Sequence, residues 1–73
     1  MEQKDGLLGL KIIRTNKNYS QLKVALDLNI SREAISYYEN GNRNPDLQTL
    51  RNLSNYFNVS IDFLVNGKEF EKK

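Results

Sequence analysis

The strongest constraint on this chain is the run Ser20 to Gly41, SQLKVALDLNISREAISYYENG, where two short helical stretches carry their own start and stop signals. Ser20 stands where a helix N-cap belongs, its hydroxyl able to accept from an early backbone N–H. Val24, Ala25 and Leu28 then fall on one side at the helical period. Asn29 follows as a stop, because it tolerates the left-handed backbone conformation better than any residue except Gly. Ile30 is expected to plug the core at the bend. Ser31 caps a second helix that runs to Asn40-Gly41, and Glu33 lies in its first turn, where negative charge is favoured. Lys23 and Ala34 hold the third helical positions, so neither cap is completed into a reciprocal capping box.

The second helix divides into two sides. At about 100° per residue, Ala34, Ile35 and Tyr38 form one side and Arg32, Glu33, Ser36 and Tyr37 the other. The first set can seal a core. The second carries a guanidinium, a carboxylate, a hydroxyl and a phenol, a set of tips suited to the base edges of a DNA major groove. Arg32 could pair with guanine and Glu33 could accept from a cytosine amino group. Ser36 and Tyr37 could approach a thymine methyl, a base edge or a phosphate. Glu33 has a second reading, in which it only steadies the helix N-terminus and repels phosphate.

The pieces Ser20-Gln21, Val24-Ala25, Leu28, Ile30-Ser31-Arg32, Ile35-Ser36, Tyr38-Glu39-Asn40-Gly41, Arg43, Pro45, Leu47, Leu50 and Val59-Ser60-Ile61-Asp62 resemble the Cro/cI-type helix-turn-helix, or XRE, family of bacterial and phage regulators. The resemblance covers about residues 7–64 and implies an all-α, five-helix, lambda-repressor-like domain. It implies that Arg14 pairs with Glu39 at the end of the recognition helix. It implies phosphate contacts from Gln21, Ser31, Asn40, Asn42 and Arg43, with the loop after Gly41 lying along the DNA backbone. Asn42 departs from the Lys or Arg often found at its place, which lowers the expected electrostatic contribution. Members of the family dimerise in several ways. The expected interface here is the last helical region, Val59, Ile61, Phe63 and Val65, with Phe63 as anchor.

The rest of the chain supplies a scaffold. Asp5 can cap a first helix with Leu7, Leu10, Ile13 and Lys17 at helical spacing, Leu10 and Ile13 forming its core pair, and Gly6 and Gly9 weakening it by up to ~1 kcal/mol each. Tyr19 is expected to place its ring in the core. Asn44 can cap a fourth helix with Pro45 in first position. Leu47, Leu50, Leu53, Tyr56 and Phe57 make its core stripe, and Asn58 ends it. Ser60 caps a last short helix, Ile61 to about Val65, that closes the core with Val59, Ile61 and Leu64 before Asn66-Gly67. The expected organisation is a flexible stretch at residues 1–5, one domain at 6–66 and a charged tail at 67–73, in which only Phe70 invites a packing role. Leu22 and Leu26 lie off the core side of their helix, either as ordinary exposed leucines or as a small docking surface.

Composition narrows the function. The chain has 73 residues, no cysteine and no histidine, so thiolate and imidazole metal sites and His- or Cys-based catalysis are absent. The acids are scattered and no Gly-rich phosphate loop is present, which argues against an enzyme. No cofactor and no small-molecule substrate are expected. No apolar run reaches the ~20 residues of a membrane span, and MEQKDG is no signal peptide; cytoplasm is the expected compartment. Net charge is +2, with seven Lys or Arg against four acids between Lys11 and Arg51. That balance would equally suit a mixed solvated surface, so the motif carries the argument and the charge does not. The expectation is a sequence-specific double-stranded DNA-binding regulator, acting as a homodimeric repressor on a pseudo-palindrome. The alternative is an antitoxin or other regulator whose main partner is a protein. A DNA-binding piece of a longer regulator also fits.

Overall fold

The computed structural model describes residues 6–68, which form five helices: α1 (Leu8–Asn16), α2 (Gln21–Leu28), α3 (Arg32–Asn40), α4 (Leu47–Phe57) and α5 (Ile61–Asn66). No strand occurs among the described residues. Asp5 and Phe70 lie outside them.

Four of the five starts are built alike. Ser20, Ser31, Asp46 and Ser60 each accept a hydrogen bond from the backbone N–H three residues on, satisfying a donor that has no partner within its helix. The fourth cap is therefore Asp46, not Asn44, and Pro45 precedes the helix instead of opening it. A carboxylate accepting from Thr49 N at 2.9 Å is also the better charge at a helix N-terminus. α1 is the exception. Its cap position is Leu7, which has no capping side chain, and the Leu7 amide instead donates to Tyr38 O at 2.9 Å.

The stops follow residue chemistry too. Asn29 and Asn58 are left-handed at φ 59° and 57°. In each case the next amide, Ile30 or Val59, reaches back to the carbonyl of Ala25 or Ser54, closing a Schellman turn. Ile30 and Val59 then pack against the core from just beyond the helix ends. Gly41 and Gly67 end α3 and α5 in the same left-handed region.

The core is the set Leu7, Leu10, Val24, Ala25, Ile35, Leu53, Phe57 and Leu64, with Ile13, Tyr19, Tyr38, Leu50 and Tyr56 packed partly buried against it. Three expectations are corrected here. Leu7, at the cap position just before α1, and not Ile13, joins Leu10 of α1 as the buried leucine pair. Leu47 is 57% exposed; as the first residue of α4 it stands at the rim, before the helix has dipped beneath its neighbours. The glycines do more than weaken α1. Gly6 precedes the helix at φ +66°. A Cβ on Gly9 would run into Phe63 O, so α1 and α5 touch backbone to backbone at this point, and a side chain there would part them.

Candidate nucleic-acid interface

α2 and α3 meet through the tight turn at Asn29–Ser31, and α2 packs chiefly on α3. Ala34 and Ile35 are buried and Tyr38 is partly buried, which anchors one side of α3. Arg32, Glu33 and Tyr37 are exposed on the other, and Ser36 is half-buried between. The four residues expected to form one outward face thus share it. Asn40 ends α3 exposed, its amide donating to Ser36 Oγ at 3.4 Å. Ser31 is spent partly on its own helix, accepting from Ala34 N at 3.0 Å.

The buried end of α3 fixes its angle. Glu39 accepts Arg14 Nε on Oε2 at 2.6 Å and Arg14 Nη2 on Oε1 at 3.1 Å. The Glu39 side chain is 3% exposed and that of Arg14 is 11% exposed. Arg14 Nη1 donates to Tyr19 O at 2.8 Å, so the same guanidinium ties α1, the α1–α2 connection and α3 together. Two planar, parallel N–H donors matched to one carboxylate make a bridge with little angular freedom. Leaving either charge without the other would strand it away from water.

Gln21 opens α2 and takes part in this bridge. Its Nε2 donates to Glu39 Oε1 at 3.1 Å, and its Oε1 accepts from Arg32 Nη1 at 3.3 Å. The carboxylate can only accept, so the amide nitrogen has to face it and the oxygen has to face Arg32. A residue expected only at the phosphate backbone is thus also an internal link. No single-sequence signal announces a contact between positions 18 residues apart.

The loop after α3 is gathered under one carbonyl. Tyr37 O accepts from Gly41 N, from Asn42 N at 2.9 Å and from Arg43 N at 3.4 Å. This turns the chain so that Asn42 and Arg43 emerge exposed beside the outward side of α3. The Arg43 guanidinium lies over the Tyr37 ring, 5.7 Å from its centroid.

The residues expected at a dimer contact lie on and just before α5. Val65 is exposed, and Val59, Ile61 and Phe63 are partly buried. Away from α3, the Tyr56 hydroxyl donates to Asp27, which also accepts from Lys23. The Tyr56 bond, then that of Lys23, holds the Asp27 carboxyl below its usual range, while burial and then Asp27 push the Tyr56 phenol up to about 12. No helix among the described residues is long and apolar enough to cross a membrane. No group of three or more acidic, His or Cys side chains placed to hold a metal ion occurs among them either.

A five-helix bundle whose second and third helices form a capped, tightly turned pair, with the third helix polar on its outer side, is a helix-turn-helix domain. A family model described as helix-turn-helix matches residues 10–64, and the chain belongs to the Cro/cI-type (XRE) helix-turn-helix family of transcriptional regulators, a family of regulators and not of enzymes. It is 50% identical over 58 residues to the SPbeta prophage-derived uncharacterized HTH-type transcriptional regulator YonR of Bacillus subtilis, covering 80% of this chain and 54% of that protein. It is 44% identical over 64 residues to the HTH-type transcriptional regulator ImmR of the same organism, covering 88% and 50%. To the HTH-type transcriptional activator BcrR of Enterococcus faecalis it is 42% identical over 60 residues, covering 82% and 29%. The chain thus spans about half the length, or less, of these curated relatives.

Proposed function

We propose that this domain binds double-stranded DNA sequence-specifically and regulates transcription. The observation that carries the reading is the outward side of α3, which keeps Arg32, Glu33 and Tyr37 exposed while Ala34, Ile35 and Tyr38 hold the opposite side in the protein. Arg32, Glu33, Ser36 and Tyr37 read base edges from the major groove. Gln21, Ser31, Asn40, Asn42 and Arg43 bracket that face and contact phosphates. Phosphate contacts set register and supply affinity through counterion release; base contacts supply the choice of sequence.

One such helix reads only a few base pairs. The protein therefore acts as a homodimer on a pseudo-palindrome with half-sites ~34 Å apart, joined through Val59, Ile61, Phe63 and Val65. It works in the cytoplasm and represses by occupying sites that overlap promoters. One relative carries the printed name of an activator, so a reporter that rises with the protein present would reverse that sign while leaving DNA recognition intact.

Selection of bound duplexes from a random pool at near-physiological salt tests the proposal. A defined motif is expected. Arg32→Ala should change that motif, with about 1–3 kcal/mol of discrimination lost at one base pair. Arg43→Ala should weaken every duplex to a similar degree. Recovery of no preferred sequence, together with co-purification of a tight protein partner, would favour the protein-interaction alternative.

A further inference from the structure

We propose that Tyr37 is a positioning residue for Arg43: its ring holds the guanidinium at the edge of the reading face and thereby couples the recognition helix to the phosphate-binding loop. This rests on the DNA-binding reading above and assigns a second task to a residue placed there only at base edges.

Three observations meet at this pair. The guanidinium stands over the Tyr37 ring at 5.7 Å from the centroid, within the range at which a cation is drawn to an aromatic face. The Tyr37 carbonyl collects the amides of Asn42 and Arg43, so the main chain of residue 37 sets where the Arg43 side chain begins and its ring sets where that side chain ends. Between Gly41 and Asp46, Arg43 is the only cationic residue, Asn42 being neutral. A loop with a single long cation depends more on the aim of that cation than a loop with two. A guanidinium has five N–H donors in a planar fork, so a ring contact still leaves donors for phosphate oxygens. Tyr37 is 38% exposed, so the platform is accessible to a duplex lying along it.

The contact implies an interaction worth about a two- to fivefold change in binding. It does not depend on the phenol oxygen. Tyr37→Phe, Tyr37→Leu, Arg43→Ala and the Tyr37→Leu/Arg43→Ala double variant should be titrated with the selected duplex and with random duplex over a range of salt. Tyr37→Phe should bind random duplex as wild type does. Tyr37→Leu should weaken random duplex by about two- to fivefold, and on that duplex should cost nothing further once Arg43 is gone. Free protein supplies an independent reading: the Arg43 side-chain protons should show an aromatic ring-current shift in NMR spectra that persists in Tyr37→Phe and vanishes in Tyr37→Leu. Additive losses on random duplex, a loss confined to the selected duplex, or Arg43 protons at random-coil shifts in wild type would each overturn the proposal. Wild type that binds no duplex preferentially would instead overturn the DNA-recognition reading, with the ring-current result still deciding the Tyr37–Arg43 contact.

Discussion

Glu39 ties the end of α3 to both α1 and α2. Its two oxygens serve Arg14 and Gln21 where water scarcely reaches, so Glu39→Ala leaves a guanidinium desolvated without its counter-charge. The expected loss is about 3–5 kcal/mol in urea denaturation. Lys23 and Asp27 form an ion pair as well, but both are substantially exposed, and Lys23→Ala should cost no more than about 0.5 kcal/mol. Tyr56 makes a prediction of another kind. Its phenol is harder to ionise in the fold than in the unfolded chain, with a pKa of about 12 against 10.0. Its contribution is therefore complete below pH 10 and is lost as pH rises through about 12. Thermal midpoints across that window should fall more steeply for wild type than for Tyr56→Phe. The Arg14–Glu39 pair was legible only through the family resemblance, whereas the Asp27–Tyr56 contact had no sequence signal, since it joins positions 29 apart on helices whose relative placement no local pattern encodes.

At the scale of elements, helix ends were the most readable part of this chain. Ser20, Asn29, Ser31, Asn58 and Ser60 act where their side-chain and backbone chemistry puts them, because a cap is decided within four residues. Ser31→Ala should therefore destabilise by about 1 kcal/mol and loosen the start of α3. The differences have two causes. At the fourth helix the local rule admits both Asn44 and Asp46, and the carboxylate takes the cap; the burial of Ile13 and Leu47 and the meeting of α1 with α5 at Gly9 are settled by what packs nearby. Gly9 gives the sharpest case. Helix propensity alone says that Gly9→Ala should stabilise by about 1 kcal/mol. The Phe63 carbonyl in its path reverses the sign, and a lowered melting temperature is the expected result.

For the whole molecule, the proposed function divides two tasks between exposed sides, DNA contact on α3 and self-association on α5. Val65 is exposed on α5, and Val65→Lys should leave the fold's thermal midpoint nearly unchanged while reducing the proposed dimer to single chains in sedimentation. Affinity for a full pseudo-palindrome should then drop far more than affinity for one half-site. The all-helical architecture of the described residues was readable because helical periodicity along them leaves few other solutions. The outward residues of α3 were readable for the same reason, as the complement of its core side. Which side chains steady the contact surface from behind, Gln21 above all, needed coordinates.

The guanidinium of Arg14 grips the last turn of α3 from α1 and holds the backbone of Tyr19 as well. Tilting α3 alone would tear that grip, at a cost comparable to much of a small domain's stability. In the proposed DNA complex, an inducer or partner is therefore expected to leave the bundle intact and to move it as a rigid block or cover its surface, instead of retracting one helix.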